Sequence, residues 1–170
     1  MTYDSRVDTY EHIRQVQALL LAFAADLQAR ALVHDVSKLS SPEKEVFDEF
    51  TPQLKDSTYG SPEYKGFLEA MGKGLKHHYA ANSHHPEHYP RGIRGMTLGD
   101  LVEMFCDWVA ATQRHADGNI RTSIDHNQKR FGYSDDIRDI LHNTVDETDL
   151  RYVPIGFLGR IALDEISSRI

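Results

Sequence analysis

Ten histidines stand against one tryptophan and one cysteine, and five of the ten fall between His77 and His88. Imidazole is a favoured transition-metal ligand and is seldom gathered in number without a use. The plain alternative is a solvated, histidine-rich loop; the mid-chain position excludes a purification tag. Elsewhere the chain carries His12, the dipeptide His34-Asp35, and Asp107 inside the apolar stretch FCDWVA. An uncompensated carboxylate there costs on the order of several kcal/mol, so Asp107 needs a cation or donors. Arg114, seven residues on, is the simple partner, and a metal is the preferred one. A hydrolytic metal site wants imidazole and carboxylate together, with a position left for water. The candidate ligands are therefore His12, His34, Asp35, His77, His78 and Asp107. Lys38 follows Asp35 by one helical turn, where its ammonium can bind a phosphate oxygen.

These residues lie on separate segments, so the elements that carry them must converge. Asp8 with Glu11 reads as a capping box, and Ile13, Val16, Leu19, Leu20, Phe23, Ala24 and Leu27 then recur at helical spacing. Leu32, Val33 and Val36 extend the signal to about Lys38, in a second helix or a kinked continuation. Ser41-Pro42-Glu43 and Ser61-Pro62-Glu63 repeat one start signal: serine caps, proline takes the first helical position, and glutamate complements the dipole. The first opens a short helix expected to end before Pro52. The second opens one that runs through Gly72 and Gly74 to His77-His78. Residues 81–95 hold two prolines and two glycines and read as an irregular loop. Thr97 with Asp100 starts the next helix, and shorter helices are expected over 119–130, 135–147 and 156–168. No period-two run is long enough for a strand. The expectation is an all-α fold, a single domain over residues 1–170 with a metal site between helices, as in helical bundles.

Bulk properties narrow the function classes. The net charge is −7 with histidine neutral, and lysine and arginine are scattered. Without a basic face the chain is not expected to bind nucleic acid. A small anionic substrate stays compatible, since a bound metal reverses the local field. One cysteine, Cys106, excludes an intrachain disulfide and reads as a small core residue. The polar, acidic N-terminus is unlike a secretory signal, and no apolar run is expected to approach the roughly 20 residues that span a bilayer. The expected location is the cytoplasm. Oligomeric state is left open.

The order His12, His34-Asp35, Asp107 resembles the H…HD…D signature of the HD-domain superfamily of metal-dependent phosphohydrolases. The segment HDVSK, residues 34–38, is similar to the HD-x-x-K form of its cyclic-dinucleotide phosphodiesterases, and His77-His78 is similar to the paired histidines of binuclear members. More closely, HD-x-SK, HHY-x-x-N-x-HHPEH and EM-x-CDW-x-A look like a small phage and bacterial family without a settled activity. Binuclear members usually place another histidine between the HD pair and the double histidine, and residues 36–76 contain none. A second metal would then fall to His84, His85 or Glu43, or the site is mononuclear.

The resemblance implies a phosphohydrolase acting on a nucleotide or other small phosphate ester. One or two divalent ions (Mn, Mg, Co, Zn, Ni or Fe) would be held first by His12, His34, Asp35 and Asp107. His77 and His78 would approach from the other side, with His84 and His85 as second-metal or supporting groups. Lys38 would stabilise charge developing on phosphorus, and Glu43 is a candidate general base, against the plainer reading of a first-turn glutamate. Arg91 and Arg94 are candidate phosphate ligands. Arg130 and Tyr133 are candidate base or sugar contacts, against the plainer reading of an exposed helix end. Two other classes compete: an HD-type di-iron oxygenase, and a non-catalytic metal-containing binding or inhibitor protein.

Overall fold

The computed structural model describes residues 3–58, 61–114 and 118–147. The helix expected over 156–168 falls outside them. Six α-helices, joined by three short 3-10 turns, make up the described residues, and no strand occurs among them. The fold is all-α. The chain divides into two units, the first ending at His34 and the second beginning at Asp35.

The first unit is one helix, α1 (Arg6–Val33), with His34 as its C-cap. Ser5, not Asp8, occupies the N-cap; Asp8 lies inside the first turn and accepts from Tyr3 Oη instead. Apolar residues surround the helix: Leu19, Leu20 and Leu21 are consecutive, and all three are exposed. By length and composition the helical stretch Arg6–Leu39 is apolar enough to cross a membrane, with an 18-residue window of mean hydropathy 1.4, contrary to the expectation that no run approaches that length.

The second unit opens with Asp35 in the left-handed region (φ 58°), followed by a 3-10 turn over Val36–Leu39. The helical signal thus continues to Lys38 only after a break, as the expected second or kinked segment. The reversal at Asp35 breaks it, at a residue type that tolerates this conformation better than most. Next comes α2 (Glu43–Asp56), whose N-cap is Pro42 and not Ser41, one position later than expected, after a cis Ser41-Pro42 bond. Pro52 sits inside α2 without ending it, although its ring removes a ladder hydrogen bond and crowds the carbonyl one turn back.

Ser61 caps α3 (Pro62–Ala81), its hydroxyl accepting from the Tyr64 N–H, with Pro62 in the first turn as the sequence indicates. Gly72, at φ 39°, kinks this helix. Gly74 serves a different purpose: a Cβ there would lie 2.7 Å from a Val46 methyl. Its bare backbone lets α3 settle closely on α2. The 81–95 segment contains two 3-10 turns, Pro86–His88 and Gly92–Gly95. The capping box of Thr97 and Asp100 then opens α4 (Leu98–Thr112).

Asn119 caps α5 (Ile120–Phe131), Gly132 closes it in the left-handed region, and α6 (Asp135–Glu147) follows. The apolar interior is built on these last three helices, from Met104, Phe105, Trp108, Val109, Ile124, Tyr133 and Leu141. Tyr133 is not part of an exposed helix end. It is buried, and its hydroxyl donates to the Ile124 carbonyl at 2.6 Å. Cys106 is exposed, because it points away from the α4 face that Phe105 and Val109 bury.

Candidate metal centre

Within the second unit, Asp35, His78, His84 and His85 bring one ligand atom each to within 4.8 Å of one another. Asp35 arrives from the left-handed turn, His78 from the last turns of α3, and His84 and His85 from the segment between α3 and the Pro86–His88 turn. Asp35 Oδ1 lies 3.5 Å from both His78 Nε2 and His84 Nε2. His78 Nε2 stands 2.8 Å from His85 Nε2. Tetrahedral bonds of about 2.0–2.1 Å to one ion separate ligand atoms by roughly 3.4 Å. The two 3.5 Å separations suit a common cation, while the His78–His85 pair, at 2.8 Å, stands at hydrogen-bond distance.

The orientation of two imidazoles is fixed from behind. His78 Nδ1 donates to Glu43 Oε2 at 2.8 Å, and His84 Nδ1 lies 3.1 Å from Glu103 Oε1. An ionised carboxylate only accepts, so each ring carries its proton on Nδ1 and turns its Nε2 lone pair inward. This carboxylate–histidine pattern is the one that orients metal-binding imidazoles. Two facing Nε2 atoms at 2.8 Å need a proton or a cation between them. Burial first, then the neighbouring His84 and His78, pushes the His85 imidazole down to about 2. Burial also lowers His78, with Lys38 adding to the effect. Neutral imidazole is the ligating form.

Glu43 is fully buried and accepts three hydrogen bonds: from His77 Nδ1 at 2.7 Å, His78 Nδ1 at 2.8 Å and Ser37 Oγ at 2.9 Å. Burial raises its pKa, but these donors outweigh burial and the net shift is downward. Its position is that of an anchor for α3. Asn82 extends the link, donating to Ser37 Oγ at 2.8 Å and to the His78 carbonyl at 2.9 Å. Lys38 Nζ contacts the outer oxygen of Asp35, Oδ2, at 2.5 Å and lies 4.7 Å over the Phe47 ring.

Other candidate residues are placed as follows. His12 is exposed along α1 and His34 caps that helix, both in the first unit; the four-ligand cluster is drawn from the second unit alone. His77 is half-exposed and turned to Glu43. Asp107 brings an oxygen within 4.8 Å of Asp35, one turn beyond Glu103 on α4. His88 Nδ1 donates to the Tyr79 carbonyl at 3.0 Å. Arg91 and Arg94 are exposed, and Arg130 pairs with Glu87 at 2.6 Å.

Glu103 is the functional residue that reading the sequence missed. Asp100, Glu103 and Asp107 stand at i, i+3 and i+7 on α4, one acidic stripe on a helix otherwise rich in apolar residues. That pattern was available in the sequence. The pairing of Glu103 with a histidine nineteen positions earlier was not.

A family model described as "Family of unknown function (DUF5662)" matches residues 1–147, and the chain belongs to that family. No curated protein and no solved structure matches the chain.

Proposed function

We propose that this chain is a metal-dependent phosphohydrolase acting on a nucleotide or another small phosphate ester, with one divalent ion held by Asp35, His78, His84 and His85. The observation that carries the reading is the division of labour on Asp35. Its inner oxygen faces the imidazoles while its outer oxygen holds the Lys38 ammonium. A cation other than the metal thus stands beside the ligand cluster, where an anionic group would be neutralised. The likeness of residues 34–38 to the HD-x-x-K form supports the same chemistry.

Three nitrogens and one carboxylate favour Mn, Co, Ni, Zn or Fe over Mg, which prefers an all-oxygen octahedron. A divalent ion held there supplies Lewis acidity towards a phosphoryl group and makes a neighbouring water more acidic. The chain's own residues bind and orient. Glu43 and Glu103 hold two rings in the ligating tautomer, Lys38 offers positive charge, and Asp35 couples the two.

The test is phosphate release from a nucleotide and phosphomonoester panel with Mn²⁺, Co²⁺ or Zn²⁺, run beside a Lys38→Ala variant. Release that depends on metal and falls about a hundredfold in K38A, as loss of a preorganised charge does, is the expected result. Absence of release from metal-loaded protein contradicts it. A second reading, a metal held for stability alone, is favoured by the count of four protein ligands, which can close a tetrahedral site. A metal-loaded protein whose ion shows no exchangeable water by pulsed electron paramagnetic resonance with Mn²⁺ would decide for that reading.

A further inference from the structure

Asp100 does more than cap a helix. A capping box asks its carboxylate to receive the N-cap residue, and Asp100 Oδ2 does so, from the Thr97 N–H at 2.8 Å and Oγ1 at 2.6 Å. The same carboxylate also receives Ser83 Oγ at 2.7 Å on Oδ1 and the Tyr89 hydroxyl at 2.8 Å on Oδ2. Ser83 immediately precedes His84, and Tyr89 lies shortly after His85. Asp100 is buried, at 1% exposure. Gly95 adds an independent restraint, since a Cβ there would come within 2.8 Å of the Tyr89 Cβ. Both ends of the 83–89 segment therefore converge on one carboxylate, and the two loop-borne ligand histidines lie between them.

We infer that Asp100 is a positioning residue for the metal centre: by holding Ser83 and Tyr89 together it sets where His84 and His85 present their nitrogens. The inference rests on the metal reading above but concerns residues that touch no ligand atom. Bonds to Ser83 and Tyr89 are surplus to capping, and that surplus separates positioning from ordinary helix stability. The 3-10 turn between them keeps the segment short enough for such a clamp to act on the rings.

The experiment compares Ser83→Ala, Tyr89→Phe and Asn119→Ala with the parent chain. The last removes an unrelated cap, since Asn119 accepts from the Arg121 and Thr122 N–H groups at the start of α5. Co²⁺ affinity is read by chelator competition, thermal midpoint on metal-free protein, and imidazole C–H resonances by NMR, also metal-free. S83A and Y89F are expected to weaken Co²⁺ binding by about tenfold or more, as for groups that orient metal ligands, while N119A lowers the midpoint and leaves affinity unchanged. In S83A the His84 and His85 resonances shift and that of His126 stays.

Parent-like affinity and resonances in S83A and Y89F overturn the inference. So does an affinity loss that N119A matches at equal loss of midpoint. If the parent takes up no Co²⁺, the metal reading fails, and the metal-free resonances alone decide whether Asp100 sets the two rings.

Discussion

At the scale of residues, the centre depends on Asp35 being both acidic and left-handed. Asparagine shares its tolerance of positive φ but not its charge. Asp35→Asn is therefore expected to keep the metal-free fold and lose Co²⁺ affinity by at least about a hundredfold, since removing a charged ligand costs several kcal/mol. Circular dichroism and chelator competition check the two halves; unaltered affinity contradicts the ligand assignment. Glu43 makes the complementary case. Replacing it with alanine leaves the buried Nδ1–H of His78 without its acceptor. The expected cost is about 1–3 kcal/mol in urea unfolding of metal-free protein, because a buried donor stripped of its partner retains its desolvation penalty. A Glu43→Ala variant as stable as the parent would remove Glu43 from the framework. The histidine cluster, the HD pair and Asp107 were legible from residue type alone. Which histidines converge on Asp35 was not, because His77 and His78 differ by one position and a helix turns them some 100° apart.

At the scale of elements, start signals were the most readable feature. Ser61-Pro62 and Thr97 with Asp100 open helices as expected, since capping is local chemistry. Pro52 and Asp8 misled for the converse reason: a helix that buries one face can carry a proline, and a carboxylate near an N-terminus need not be its cap. The close seating of α3 on α2 could not be read, because Gly74 looks like a helix-weakening residue until Val46 is seen beneath it. That contact brings His77 and His78 to Glu43. Gly74→Ala is expected to cost about 1–3 kcal/mol through overpacking, even though alanine favours helix, and to weaken Co²⁺ binding. Adding Val46→Ala should restore part of both, and a double variant no better than G74A would contradict the steric account. Equilibrium denaturation and metal titration supply the measurements.

At the scale of the whole molecule, an all-α fold was legible from periodicity, whereas the division at His34 was not. The apolar all-round character of α1 could be counted in the sequence but not its exposure. Asp26 and Arg30 pair at 2.9 Å towards the C-terminal end of that helix, Arg30 in its last turn, and charged side chains within an apolar span carry a cost in a bilayer. The chain is accordingly expected to stay at the bottom of a flotation gradient with neutral or anionic vesicles; floating with them would contradict that expectation. A metal held by the proposed centre would act on the whole molecule by linkage. An ion that binds the folded state stabilises it by about 2.7 kcal/mol at a hundredfold excess over its dissociation constant, so the thermal midpoint should rise with Co²⁺ and return on chelation.

One measurement bears most directly on the centre formed by Asp35, His78, His84 and His85. Chelated protein is reloaded with Co²⁺ or Zn²⁺, freed of excess, and examined by metal analysis and X-ray absorption at the metal edge. One tightly held ion per chain is expected, with the multiple-scattering signature of several imidazoles and short oxygen or nitrogen bonds of about 2.0–2.1 Å, as is usual for such ligands. The signature should be lost in Asp35→Asn and His84→Ala. A chain that retains no stoichiometric ion, or an ion without imidazole scattering, would contradict it.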